Sequence, residues 1–349
     1  MSAAESSAAQ ASRLLGIVGA AWMTHAVAAA VDLGLPDLLL EGPQADATLA
    51  AAVSADRRAL RRLLRALVTL DLCAERSDGR YEITPLGRLL AADSPGSLRA
   101  VAALWADRQQ PLWHRLADSV RIGRGARTLL GGGGGFAHLE QDAEYAATFN
   151  EAMVALTRLA APEIARAYDF AGKRVVDVGG GYGELLAAIL EAHPTARGVL
   201  LDRPHAIAAA PRHFEARGLG ERCELVAGDF FTSVPVGGDV YVLKSVIHDW
   251  DDDDALAILS ACRAAMTADA RLVLIERVMP ERLAPTEEHR ALARSDLNML
   301  VMLGARERTE AELGGLLLGA GFRLTACHYL RSGLGLIAAA VQPNDGVSP

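Results

Sequence analysis

The chain has 349 residues, 51% of them hydrophobic, and carries a formal charge of −8. That length leaves room for two domains with sizeable cores, and that apolar content excludes disorder except at the ends. The acidic balance argues against nucleic acid as the main partner. The scattered Cys73, Cys223, Cys262 and Cys327 form no C-x-x-C pair, so neither a disulfide framework nor a zinc site is expected.

Residues 1 to about 12 are small and polar. Glu5 stands where a secretion signal would be basic, so a cytoplasmic protein is expected. A helix is predicted from Ala11 to Val31. Its apolar run is interrupted by Thr24 and His25, which makes it a poor membrane span. Being apolar nearly all round, it must be buried on every side, and a second copy of the chain is the expected cover. Residues 46 to 90 have a winged-helix pattern. A short helix, Ala47 to Val53, has Asp46 as N-cap. Ser54 then caps a helix from Asp56 to Leu70, with Leu60, Leu63, Leu64, Leu67 and Val68 on one face. Cys73–Glu75 and Arg80–Ile83 flank Ser-Asp-Gly, a hairpin signal. Arg57, Arg58, Arg61, Arg62 and Arg65 occupy the opposite helix face. They read as a solvated face of a dimerisation domain in preference to a DNA-recognition helix, since the whole chain is acidic.

Residues 98 to 165 are expected to be helical, with Trp105, Trp113 and Met153 as large apolar groups. The run Gly131–Gly135 fits either a flap over a pocket or a surface loop. The domain spans expected are therefore 1–97, 98–165 and 166–349. From Lys173 strands and helices alternate, the signature of a doubly wound parallel sheet. Strands are predicted at 174–178, 198–202, 223–227, 239–244, 271–276, 322–327 and 335–341, with ligands beyond their carboxyl ends.

The first of these strands runs into Asp177-Val-Gly179-Gly-Gly181-Tyr-Gly183-Glu184, a glycine turn opening a helix. Asp202 ends the next strand, where a nucleotide-binding domain places the carboxylate that grips a ribose. The glycine spacing is one residue short of the dinucleotide fingerprint, and Glu184 would face a pyrophosphate with the wrong charge. An adenosine cofactor with a cationic end and no phosphate fits better: S-adenosylmethionine (SAM), with its amino group and sulfonium toward Asp177 and Glu184. After the third strand, Gly228-Asp229-Phe230 offers a carboxylate and a ring for adenine, or equally a helix cap with a packing Phe. After the fourth, Lys244-Ser245 precedes His248 in the same crevice, and Lys244 suits the carboxylate of the methionine end. Asp251–Asp254 open an amphipathic helix and complement its dipole.

Asp-Val-Gly-Gly-Gly at 177–181, Gly-Asp-Phe-Phe at 228–231, His-Asp-Trp at 248–250 and Glu-Arg-Thr at 307–309 occur in that order. Together they resemble the SAM-dependent small-molecule O-methyltransferases of the plant caffeic-acid type, and within them the bacterial natural-product tailoring branch. The resemblance runs over nearly the whole chain. It implies a Rossmann-like SAM domain behind a helical, winged-helix-like N-terminal dimerisation domain, and a homodimer. It implies His248 as general base, with Glu276 and Glu307 positioning it. It implies an acceptor lined by Trp105, Phe149, Met153, Asp249, Met299 and Met302. The cofactor set expected is Asp177, Gly179, Gly181, Glu184, Asp202, Arg203, Gly228, Asp229, Phe230, Lys244 and Ser245, with no metal. One departure stands out: plant members carry an Asn a few residues before Glu307, where this chain has Leu303-Gly304.

The function expected is methyl transfer to a hydroxyl, phenolic in class, of an aromatic metabolite. A phenol titrates near 10 and a histidine near 6.5, a gap of about 5 kcal/mol that two carboxylates around His248 would narrow. Two alternatives are N-methylation or a non-methylating SAM-assisted reaction on the same fold, and a SAM-sensing winged-helix regulator.

Overall fold

The computed structural model describes residues 3–131 and 135–343. The chain divides into two compact units, Met1–Gln110 and Pro111–Pro349, so the region expected at 98–165 is shared between them.

The first unit opens with a helix at Ala3–Asp32, longer than expected. Thirty residues of helix span about 45 Å, more than one small core covers. Within the single chain the helix is bare, not buried all round: Leu15 is 71% and Trp22 73% exposed, with Leu14, Ile17 and Val18 close behind. Ser7–Asp32 is also long and apolar enough to cross a membrane, by length and composition alone. The helix Asp46–Ala52 takes in Asp46 as its first residue, and Asp46 accepts a hydrogen bond from Arg57 Nε at 3.0 Å instead of capping. The helix Arg57–Thr69 is capped by Asp56, which accepts from the Ala59 N–H at 2.8 Å, and not by Ser54. A cap needs extended backbone, and Ser54 is left-handed with φ 53°. Leu60, Leu64 and Leu67 are buried against Leu35, Leu39 and Leu49, as the periodicity requires. Strands β1 (Gln44–Ala45), β2 (Cys73–Glu75) and β3 (Arg80–Ile83) form an antiparallel sheet in the order β1-β3-β2. Of the arginine face, Arg57 and Arg61 pair with Asp46, and Arg61 reaches Glu75 at 3.8 Å.

The second unit is built on seven strands: β4 (Arg174–Val178), β5 (Arg197–Asp202), β6 (Cys223–Ala227), β7 (Val240–Lys244), β8 (Arg271–Glu276), β11 (Phe322–Tyr329) and β12 (Gly335–Val341). Their order is β11-β12-β8-β7-β4-β5-β6. β4 to β8 are parallel, but β12 runs antiparallel to both neighbours, so the sheet is mixed and not wholly parallel. The cause is local: residues 330–334 make a tight turn, closed by Leu330 N–H to the Leu334 carbonyl at 2.8 Å. A hairpin that short delivers only an antiparallel partner. Alternate side chains of the central strands feed two cores. Val176, Val178, Leu243 and Leu274 face the helices Asp252–Ala265 and Glu310–Gly319. Val175, Val242, Val273 and Ile275 face Leu185, Ile189 and Ile164. Burial on both faces is why these strands are continuous apolar runs.

Two further two-residue strands, β9 (Val278–Met279) and β10 (Arg308–Thr309), form a short parallel pair that the sequence did not announce. Among the described residues of 111–167, short helical pieces at Leu116–Ile122, Ala126–Leu129 and Ala137–Glu140 lead to the long helix Ala143–Ala167. Of the five-glycine run, Gly132–Gly134 lie outside the described residues; Gly131 and Gly135 both have positive φ.

Candidate active site

The carboxyl ends of β4, β5 and β7 surround a cavity of about 240 Å³. At the β4 turn, Gly183 sits left-handed at φ 83° as the N-cap of the helix Glu184–Ala192. Gly180 has no room for a side chain at all, because a Cβ would run into the Asp177 carboxylate and Leu200. Gly180 belongs among the essential glycines, although the spacing rule singled out its neighbours.

Asp202 accepts from the Gly181 and Arg203 N–H groups, each at 2.7 Å. It thereby ties the glycine turn to the tip of β5, while burial raises its pKa. Asp177 is 1% exposed, and its Oδ2 has no hydrogen-bond partner although the residue lines the cavity. Burial, then the nearby Asp202, pushes its carboxyl up to about 7. An orphaned buried carboxylate oxygen facing a cavity is what a ligand ammonium would satisfy. The residues present therefore fit SAM at its amino end. Lys244, on β7, lies 3.4 Å from the Ser245 hydroxyl, and burial lowers its pKa against the pull of Glu276 and Asp177.

Glu184 departs from expectation. Its carboxylate is held by Arg217 at 2.8 Å and Arg158 at 3.3 Å. Burial opposes its ionisation, but these guanidiniums outweigh that and hold its pKa low. Its charge is thus answered by the protein, so it clamps the long helix 143–167 onto the glycine-turn helix and is not free for a cationic ligand.

The wall of the cavity is aromatic. Phe231 packs edge-on against Trp250 with centroids 4.8 Å apart, and Phe230 and Phe136 approach the same indole at 6.1 and 6.2 Å. Phe149 lies 5.8 Å from Phe136. Phe136 and Leu139 belong to a segment that Arg203 secures through an ion pair with Glu140 at 2.7 Å. Phe136, Leu139 and Trp250 were not among the expected contacts. The His-Asp-Trp motif flagged Trp250, and the glycine run directly before Phe136 hinted at a flap there, but no sequence signal marked Leu139.

His248 lies in the short turn Ile247–Asp249 that follows β7. Its Nδ1 is 3.1 Å from both carboxylate oxygens of Glu307 and 3.6 Å from Glu276 Oε2, and its Nε2 is 3.5 Å from Asp249 Oδ1. Glu307 also accepts from the Ser295 hydroxyl at 2.6 Å. Glu276 Oε1 accepts from the N–H groups of Val246 and Ile247. Burial disfavours the imidazolium, but Glu276, Asp249 and Glu307 outweigh it and push the His248 pKa up to about 10. Because Nδ1 faces the Glu307 carboxylate it carries a proton, so in the neutral imidazole Nε2 is the nitrogen with the free lone pair. His248, Glu276 and Glu307 also place their donor atoms within 4.8 Å of one another, close enough for a metal ion. The Nδ1 hydrogen bonds go to Glu307, while Glu276 Oε2, 3.6 Å away and without a hydrogen-bond partner, acts on the imidazole through its charge.

Of the expected cofactor residues, all but Gly228 line the cavity, as do Phe149, Met153 and Asp249. The Gly228 N–H instead continues the sheet, donating to the Asp202 carbonyl at 2.9 Å. Trp105 lies in the first unit, 46% exposed, on the π-helical turn Leu104–Arg108. Met302 packs beside Leu112, Ala126 and Val301; neither it nor Met299 lines the cavity. The helix bearing both, Glu287–Leu303, stops at left-handed Gly304, so the departure before Glu307 is a helix terminus.

A family model described as an O-methyltransferase domain matches residues 113–323, and one described as an O-methyltransferase dimerisation domain matches residues 15–93. The chain is 38% identical to a phenazine O-methyltransferase of Lysobacter antibioticus, over 93% of this chain and 95% of that one. It is 36% identical to a phenazine-1-carboxylate N-methyltransferase of Pseudomonas aeruginosa, covering 91% and 93%. Among solved structures, a mitomycin 7-O-methyltransferase superposes with a TM-score of 0.88 at 36% identity, covering 97% and 99%. An O-methyltransferase from neocarzinostatin biosynthesis, bound to SAM and 2-hydroxy-5-methyl naphthoic acid, superposes with a TM-score of 0.77 at 34% identity, covering 91% and 95%. With its helical N-terminal unit and its SAM-type sheet, this chain belongs to the O-methyltransferase family and is a SAM-dependent methyltransferase.

Proposed function

We propose that the chain transfers the methyl group of SAM to a hydroxyl, phenolic in class, of an aromatic natural product, with His248 accepting the proton. The observation that carries this reading is the imidazole pinned by Glu307 through Nδ1 at the tip of β7, between Val246 and Asp249, which line a cavity with aromatic walls though His248 itself does not. Bound SAM supplies a methyl already activated by its sulfonium, so the chain has no need of a metal Lewis acid. Asp177 and Asp202 would hold its amino and ribose groups, Lys244 its carboxylate, and Asp229 and Phe230 its adenine. Phe149, Met153 and Trp250 offer flat apolar surface to an aromatic acceptor. His248 Nε2 takes the hydroxyl proton as the oxygen attacks, and Glu276 and Glu307 stabilise the imidazolium that results.

The test is transfer of label from SAM to a panel of phenolic and aza-aromatic compounds in the presence of EDTA, with products located by mass spectrometry. Label on oxygen, undiminished by EDTA, is the expected result; label on nitrogen or loss with EDTA would overturn the reading. In the same preparation Asp202→Ala should weaken SAM binding by calorimetry about 10- to 100-fold, as for loss of charged hydrogen bonds. Unchanged affinity would remove Asp202 from the cofactor set. N-methylation is the second reading, because relatives of comparable identity carry out both reactions.

We further infer a cytoplasmic homodimer that covers the bare face of the first helix, since water-exposed Leu14, Leu15, Ile17, Val18 and Trp22 make too large an apolar stripe for a free monomer. Light scattering on detergent-free protein should give twice the chain mass, falling to one chain in Leu15→Glu/Trp22→Glu. A monomeric parent, or protein found only with membranes, would refute this.

A further inference from the structure

We propose that Arg308 is a positioning residue for the base: its buried guanidinium fixes the main chain on either side of His248. The proposal rests on the reading that His248 accepts the proton. The turn from Val246 to Trp250 carries the base but has little main-chain bonding of its own, only Asp249 N–H to Val246 at 3.1 Å and Trp250 N–H to Ile247 at 3.4 Å. Side chains hold it from both directions. Glu276 takes the N–H groups at its start. Arg308 donates Nη1 to the Ile247 carbonyl and Nη2 to the Trp250 carbonyl, each at 2.8 Å, so its two arms bracket His248 and Asp249. Its Nε and Nη2 reach Asp252 Oδ1 at 3.0 and 2.7 Å. At 1% exposure Arg308 is a fully buried cation, answered by one half-exposed carboxylate and two carbonyls. A buried charge held on one half-exposed partner is a poor source of stability, and specification of geometry is the better account of it.

The neighbouring residue makes the division of labour plain. Glu307 orients the imidazole ring, and Arg308 sets where the backbone puts that ring. The short pairing of β10 with β9, Arg308 opposite Val278, brings both residues to the end of β8 where Glu276 waits. Through the Trp250 carbonyl the same guanidinium also places the indole of the cavity wall. Lysine would keep the charge, but its compact ammonium cannot span two carbonyls and a carboxylate as a planar fork does.

The experiment compares full-length parent, Arg308→Lys and Asp252→Asn; Asp252 is half exposed, so its variant should fold even if the lysine variant does not. In the parent, nitrogen-15 NMR of histidine should show one sharp, exchange-protected Nδ1–H for His248, which needs no acceptor molecule. Both variants should show it broadened or split, with SAM affinity by calorimetry within about threefold of the parent. With any phenol the parent methylates, kcat should fall about 100-fold for Arg308→Lys, the scale of a 1 Å misplacement, and less for Asp252→Asn, with KM little changed. A parent-like imidazole signal and kcat in folded variants would overturn the proposal. If His248→Ala abolishes turnover while these variants retain it, the positioning proposal fails alone. If His248→Ala itself retains turnover, the base reading has failed and the NMR comparison still decides whether Arg308 sets the ring.

Discussion

Replacing His248 with alanine is expected to lower methyl transfer to oxygen by about 10²- to 10⁴-fold, the usual worth of a positioned general base. SAM affinity should survive, because the orphaned Asp177 oxygen and the Asp202 tie to the glycine turn involve other strands. The substitution also leaves Glu276 and Glu307 facing each other without their cation. Breaking a buried pair in this way costs about 3–5 kcal/mol, so one carboxyl will take up a proton and the fold will lose stability. His248→Asn is the better-matched variant, since an amide N–H can replace Nδ1–H toward Glu307 but offers no basic nitrogen. The pair of variants separates the two losses. Both should lose turnover, while the asparagine variant should melt closer to the parent. Calorimetry with SAM and single-turnover transfer would check it. Oxygen methylation at the parent rate in either variant would dismiss the base, and retained nitrogen methylation would favour the second reading.

Turnover with a phenolic acceptor is expected to rise steeply between pH 7 and pH 10. The carboxylates around His248 outweigh its burial and lift its pKa to about 10, so at neutral pH the resting group is an imidazolium. The form that accepts a proton then increases about tenfold per pH unit, roughly 100-fold from pH 7 to 9. Stability should move the other way. A histidine whose folded pKa lies above its unfolded value stabilises the fold fully below about 6.5, and that contribution is lost as pH climbs through 10. Asp249 acts in the same sense: its carboxyl, raised to about 7 chiefly by burial, stabilises fully below about 3.8 and ceases to by pH 7. The measurement is kcat and melting temperature on the same samples across pH 6.5–10. A flat kcat would show that the acceptor arrives already ionised, or that the proton leaves by another route.

The residues of the site were legible where chemistry forces a local pattern. A strand buried on both faces must be an apolar run, so β4, β5, β7 and β8 announced themselves, and the residues at their ends marked the crevice. Asp177, Asp202, Lys244 and His248 follow directly from that. The first helix showed its apolar character, but whether it is covered depends on a second copy, which one chain does not supply. Other features were hidden because they depend on distant segments. Glu184 looked like a partner for a cationic ligand, yet Arg158 and Arg217, 26 and 33 residues away, claim it. The reversal of β12 follows from a five-residue turn that closes a hairpin.

The sequence alone determined the sheet strands and the glycine turn, because burial period and turn chemistry dictate them. It also nominated Asp177 and Asp202 for the cofactor by their place at the strand ends and, through the family resemblance, His248 for the base. Only the tertiary structure decided that Glu276 and Glu307 face Nδ1 of His248 and that Arg308 spans the base turn. Those are contacts between segments 30 to 60 residues apart, fixed by the packing of β9 on β10 and of helices on the sheet. No local pattern encodes a distance of that kind.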